Sequence, residues 1–227
     1  MAGGRELGQS RRARLQAARL YLVVETRPPG RTPEQLLRAA LEGGVDMVQL
    51  RDKEADDETL LRSASLFRQI CGEHGALFWV NDRPDLALRA EADGVHVGQE
   101  DLPVEEVRAA VGPDLLIGLS THSESQLEAA LGSEADELSV GPVYETPTKP
   151  ARPATGLSLI EHAARVAERR PWFAIGGIDL GNVRQVVAAG AQRVVVVRAI
   201  RDADDPRAAA AALREALEEG GPIGPAS

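Results

Sequence analysis

The sequence predicts a single α/β domain, a (βα)8 TIM barrel, on three observations. Eight short β-branched runs recur along the chain, amphipathic helical stretches separate them, and Gly, Pro, Asp, Ser or Thr follows the runs before the next helix begins. Strands that alternate with helices form a parallel sheet, and eight repeats in about 200 residues suit a closed barrel better than an open doubly wound sheet. No GxGxxG follows the first run, which argues against a dinucleotide-binding sheet. The 227 residues, 43% hydrophobic, suffice for one core, and no low-complexity linker divides them.

Taken in order, strands are predicted at 20–25, 46–51, 76–81, 94–97, 115–120, 137–143, 172–178 and 193–199. Helices are predicted at 33–41, 57–73, 104–111, 124–131, 157–169 and 180–189, with a last one at about 205–219. Thr32-Pro33 supplies an N-cap followed by Pro at the first helical position, and Leu102-Pro103 introduces a later helix. Gly43, Gly112, Gly132 and Gly190 stand near helix ends, where a left-handed residue is favoured. Residues 1–19 are expected to be a partly helical, partly disordered lead-in, 20–220 the barrel and 221–227 a flexible tail.

Composition narrows the function classes. Asp and Glu outnumber Lys and Arg by 35 to 26, so a chain of net charge -9 is not expected to bind nucleic acid or anionic membrane nonspecifically. The single Cys71 excludes an internal disulfide and a multi-cysteine zinc site and makes the cytoplasm the expected compartment. The apolar run after Arg11, Arg12, Arg14 and Arg19 covers only 20–24, too short for a signal core or a membrane span. Of 26 basic residues only Lys53 and Lys149 are lysines. Against a background written in Arg, each is a candidate for a compact ammonium that a planar guanidinium does not replace.

In a barrel of this kind the chemistry sits at the C-terminal ends of the strands. In Gln49-Leu50-Arg51-Asp52-Lys53 the period of two puts Gln49, Arg51 and Lys53 on one face, with Val48 and Leu50 turned to the helices. An amide and two cations pointing inward call for an anion, the competing account being an internal salt bridge to a barrel carboxylate. Asp82 and Asp101 follow the third and fourth strands; two carboxylates suffice as the protein's share of a magnesium site, whereas singly each reads as a helix cap. The loop after the sixth strand carries Thr146, Thr148 and Lys149 between prolines, which suits an oxyanion or a merely structural connection. Gly176-Gly177 at the end of the seventh strand and Val197-Arg198 at the end of the eighth occupy the usual phosphate position of barrels. Among the histidines, His74 and His162 read as surface residues, His96 as lining the interior and His122 as near a ligand. No metal-ligand spacing and no Ser/His/Asp arrangement stands out.

The segments Val48 to Lys53, Asn81-Asp82, Gly94 to Asp101, Gly141 to Tyr144 with Thr146 to Lys149, and Ile175 to Ile178, in this order, resemble the thiamine phosphate synthase family. The resemblance runs from about Leu20 to the final helix. It implies coupling of a hydroxymethylpyrimidine diphosphate to a thiazole phosphate, carboxylated or not, with release of pyrophosphate and a requirement for Mg2+. It further implies that Gln49, Arg51, Lys53, Asn81, Ser120 and Lys149 contact the pyrimidine diphosphate, that Asp82 and Asp101 hold the metal, and that Thr146, Thr148, Gly177, Val197 and Arg198 surround the thiazole phosphate. The implied reaction is dissociative, with Arg51, Lys53 and Lys149 stabilising the departing diphosphate and no general base. Arg198 departs from members that carry Ser there. The rival readings are a thiazole tautomerase paralogue, which does not need the metal pair, and a noncatalytic ligand-binding barrel. A homo-oligomer is left open.

Overall fold

The computed structural model describes residues 2–146, 153–167 and 170–221. Eight parallel strands close into one barrel in sequence order: β1 (Leu20–Val24), β2 (Met47–Leu50), β3 (Leu77–Asn81), β4 (Gly94–Val97), β5 (Leu116–Thr121), β6 (Glu137–Val140), β7 (Trp172–Ile175) and β8 (Val194–Val196). Leu20 pairs with Val194 to complete the ring. Outside it lie α2 (Pro33–Glu42), α3 (Asp57–His74), α4 (Pro84–Arg89), α5 (Val104–Val111), α6 (Glu124–Leu131), α7 (Gly156–Val166), α8 (Val183–Ala188), α9 (Arg198–Arg201) and α10 (Pro206–Glu218).

The period of two along each strand divides the apolar residues into two cores. Leu20, Leu22, Val24, Val48 and Leu50 turn outward to the helices, whereas Tyr21, Val23, Met47, Leu77, Trp79, Leu116, Phe173 and Val195 fill the interior. Tyr21 stands at the centre of an aromatic layer, its ring 6.0 Å from Trp79 and 5.7 Å from Phe173. This layer makes the lower barrel solid and leaves only the upper mouth for a ligand.

Four expectations need correction. Residues 2–17 are not a partly disordered lead-in but one helix, α1 (Ala2–Ala17), lying across the lower end of the barrel. Leu15 and Ala18 enter the interior core beneath Tyr21, and Arg11 and Arg12 reach Asp93 and Asp136 at 2.9 and 3.0 Å. The four arginines ahead of the first strand are thus docking groups, Arg19 included: it donates to the carbonyls of Leu217 and Gly221 at 2.9 and 2.8 Å. Second, β6 stops at Val140 because Pro142 has no N–H to continue the ladder, and β7 stops at Ile175 because Gly176 and Gly177 take φ of +107° and +65°. Third, the segment expected as strand to residue 199 turns helical at Arg198, forming α9. His162, expected at the surface, is largely covered and lies 3.2 Å from Glu128.

Candidate active site

The upper mouth opens into a cavity of about 570 Å³. Its wall includes Gln49, Arg51, Lys53, Asn81, Asp82, Asp101, Ser120, Thr146, Gly177, Val197 and Arg198. Every site residue predicted from sequence that falls among the described residues is therefore on one surface. Thr148 and Lys149 lie outside the described residues. The described chain on either side of them is drawn together at the rim, where the Thr155 N–H and hydroxyl donate to the Pro142 carbonyl at 2.7 and 2.9 Å.

On the β2 side, Gln49 is buried and donates through Nε2 to the Tyr21 hydroxyl at 2.6 Å. Burial first and the nearby Glu137 charge second hold the Tyr21 phenol well above its ordinary range, so it keeps its proton. Beyond Gln49 the chain turns, and Asp52 fixes the turn: its carboxylate accepts the Thr26 hydroxyl at 2.6 Å, the Thr26 N–H at 3.2 Å and the Glu54 N–H at 3.2 Å. Burial pushes the Asp52 carboxyl upward, but these bonds outweigh it and bring it below its ordinary value. Anchoring Asp52 leaves its neighbours Arg51 and Lys53 to the cavity. Asp52 was passed over in the sequence because it lies between two more conspicuous cations.

The two aspartates are not helix caps. The N-cap position of α4 is Arg83 and that of α5 is Pro103, and neither helix receives a side-chain cap. Asp82 instead holds a left-handed backbone, φ 60°, with its N–H on the His96 carbonyl at 2.8 Å. This is a conformation Asp tolerates better than most residues. Asp101 folds back so that its Oδ2 accepts the Gly98 N–H at 2.8 Å. Burial, then the neighbouring Asp101 carboxylate, push the Asp82 carboxyl above its ordinary value against the pull of Lys53 and Arg51. Lys53 Nζ lies 3.6 Å from Asp82 Oδ2, with side chains 61% and 25% exposed. The competing account of Lys53 as a partner for a barrel carboxylate is thus realised in part, but so exposed a pair is weak and leaves the ammonium free to meet an anion.

Two carboxylates drawn together at an open mouth fit a divalent cation, and among the described residues no group of three His, Cys, Asp or Glu offers a closed metal cage. That donor set suits magnesium, which keeps several waters and takes its remaining oxygens from a phosphorylated substrate. Across the cavity, Gly177 is held by Asn182, whose Nδ2 donates to its carbonyl at 2.8 Å. Asp202, which also lines the cavity, bonds Arg201 and feels the charge of Arg198, while Arg201 also binds Glu25 at 2.9 Å.

The floor holds what sequence reading missed. His96 bonds Glu137 through Nδ1 at 2.7 Å and Ser120 through Nε2 at 2.9 Å, a Ser/His/acid chain drawn from β5, β4 and β6. Only the strand register, which sets both His96 and Glu137 opposite Gly118, reveals it. His122, whose imidazole lies 2.5 Å from the Gly141 carbonyl, lines the same cavity.

Residues 20–200 match the protein family described as thiamine monophosphate synthase. A thiamine-phosphate synthase of Acidothermus cellulolyticus is 52% identical over 201 residues, which cover 88% of this chain and 95% of that one. One from Thermobifida fusca is 50% identical over 213 residues, covering 93% and 97%. Among solved structures, a thiamine phosphate pyrophosphorylase from Pyrococcus furiosus superposes with a TM-score of 0.83 at 34% identity, covering 92% of this chain and 98% of the other.

Proposed function

Since the chain belongs to the thiamine monophosphate synthase family and is a transferase that makes thiamine phosphate, we propose how its own residues carry the reaction. The pyrimidine substrate, 4-amino-2-methyl-5-hydroxymethylpyrimidine diphosphate, takes the side of the cavity built by Gln49, Arg51, Lys53, Asn81 and Ser120, and Lys149 also contacts it. The thiazole phosphate, or its carboxylated form, takes the side of Thr146, Thr148, Gly177, Val197 and Arg198. The observation that carries this reading is the meeting of Asp82 and Asp101 beside Arg51 and Lys53 on one cavity wall. Carboxylates and cations in one place fit neither an anion alone nor a metal alone; they fit a diphosphate together with a divalent cation.

Asp82 and Asp101 hold Mg2+, which when bound supplies positive charge and Lewis acidity to the diphosphate oxygens. Arg51, Lys53 and Lys149 bind those oxygens and stabilise the negative charge that builds as the bond between methylene carbon and bridging oxygen breaks. The electron pair leaves with pyrophosphate, the pyrimidine methylene carries the resulting positive charge, and the thiazole nitrogen donates its lone pair to form the new C–N bond. No proton changes hands at the reacting carbon, so no general base is required. The solid aromatic layer below and the two substrates above exclude water that would capture the cation.

A tautomerase paralogue would have no use for paired carboxylates beside Lys53, which is why the synthase reading is preferred. The test is release of pyrophosphate from the two substrates in magnesium by purified protein, alongside Asp101→Ala. The reading predicts turnover in the wild type and its loss in a variant that still melts cooperatively. Full activity in Asp101→Ala would remove that residue from the metal site.

A further inference from the structure

The mechanism above leaves one polar array unused. Glu137 is 0% exposed and does not line the cavity, yet it is a carboxylate inside a barrel whose interior core includes Met47, Leu77 and Leu116. Its Oε1 meets His96 Nδ1 at 2.7 Å, while its Oε2 has no hydrogen-bond partner among the described residues. Burying a carboxylate with so few bonds is costly, and an apolar residue would fill the space more cheaply. Backbone between the two partners is also committed to the contact. A Cβ at Gly118 would come within 2.2 Å of Glu137 Oε1 and 2.4 Å of His96 Nδ1, so the strand between them has to lack a side chain for them to meet.

We propose that Glu137 and His96 are positioning residues that make Ser120 a hydrogen-bond acceptor for the amino group of the pyrimidine diphosphate. The proposal rests on the substrate assignment made above. With the carboxylate accepting from Nδ1–H, the imidazole keeps its lone pair at Nε2, and the Ser120 hydroxyl, 2.9 Å away, donates to it. The serine proton is thereby turned away from the cavity and the oxygen lone pairs face it, in a wall that includes His96 and Ser120. A chain that ends in an acceptor selects an N–H donor. As diphosphate departs and positive charge spreads over the aminopyrimidine, its N–H becomes a stronger donor, and a buried negative charge two bonds behind the acceptor favours that state over the ground state. Glu137 and His96 therefore act on the rate more than on substrate binding.

The experiment is steady-state pyrophosphate release by wild type, Glu137→Gln, Ser120→Ala and the double variant, each checked by thermal melting. Gln is nearly isosteric, removes the charge, and can present an amide N–H that reverses the chain. Glu137→Gln is expected to lower kcat about 10- to 100-fold with KM for the pyrimidine diphosphate within about threefold. The double variant is expected to be no worse than Ser120→Ala by more than about threefold, because Glu137 acts through Ser120. With a pyrimidine diphosphate lacking the amino group, wild type and Glu137→Gln should turn over alike. An unchanged kcat, a loss confined to KM, multiplying losses, or an equal deficit on the desamino substrate would each overturn the proposal. Should Glu137→Gln fail to fold, His96→Gln interrupts the same chain and carries the same expectations. Absence of turnover in the wild type would instead refute the substrate assignment, which separates the two failures.

Discussion

Replacing Asp101 by Asn should make the protein more stable and nearly inactive at once. In the wild type the Asp82 carboxyl is pushed upward by burial and by the Asp101 charge. Two unit charges about 4 Å apart repel by about 1 kcal/mol in water and about 4 kcal/mol at an effective dielectric constant of about 20. Lys53 is 61% exposed and Asp82 25%, so the site lies toward the aqueous limit, and Lys53 and Arg51 already offset part of the repulsion. Relief of about 0.5–1 kcal/mol is therefore expected. Asn keeps an oxygen for the Gly98 N–H that Asp101 now accepts at 2.8 Å, and its amide can donate to Asp82. For a chain of this length the gain corresponds to a rise in Tm of about 1–4 °C without magnesium. Adding magnesium and pyrophosphate should raise the wild-type Tm further and leave the variant unmoved, while turnover falls about 100-fold or more. Melting scans with and without the ligands, beside an activity assay, read all three. A variant that melts below wild type in the absence of metal would refute the like-charge account, and a full ligand-induced shift in the variant would refute metal binding at Asp101.

Asp52→Ala should free the loop carrying Arg51 and Lys53, raising KM for the pyrimidine diphosphate about 3- to 10-fold with a smaller effect on kcat. The folded-state Asp52 carboxyl sits below its ordinary value, so its contribution to stability is present above that value and lost as pH falls through the lower folded one. Wild-type and Asp52→Ala stability curves should thus differ by about 0.5–1 kcal/mol at neutral pH and converge at the acid end. Arg193, which burial lowers to about 10, still carries its charge at neutral pH and donates to the carbonyls of Ala18 and Gln16 at 3.1 and 2.9 Å. Arg193→Met should cost about 2–4 kcal/mol, read by denaturant unfolding, while leaving kcat of the folded enzyme unchanged, because those carbonyls lie at the end of the barrel opposite the cavity. Lys149→Arg should lower kcat at least about tenfold; unimpaired turnover would show that any cation serves there.

The barrel was legible because its signal is local. Strand runs and helical stretches each span a few residues, and caps such as Thr32, which bonds Gln35 in a capping box, are written within four positions. Site residues that end strands were legible for the same reason, since the architecture itself brings strand ends together. What stayed hidden depends on register or on distant partners. His96, Ser120 and Glu137 become one chain only when three strands are laid side by side. Arg11, Arg12 and Arg14 looked like a charged lead-in because their partners, Asp93 and Asp136, lie about 80 to 124 residues away. Strand ends were overextended to residues 143, 178 and 199 because Val143, Ile178 and Val197 continued the propensity signal, while Pro142, the Gly176-Gly177 pair and the turn at Val197 ended the ladder.

The account rests on a diphosphate and a divalent cation meeting Arg51, Lys53, Asp82 and Asp101 at one barrel mouth. Its most direct measurement is stoichiometric release of pyrophosphate with formation of thiamine phosphate by purified protein, titrated with magnesium. One pyrophosphate per thiamine phosphate is expected, abolished by chelation and restored by magnesium. Product formation that persists undiminished in excess chelator, or no pyrophosphate release at saturating substrates, would contradict it.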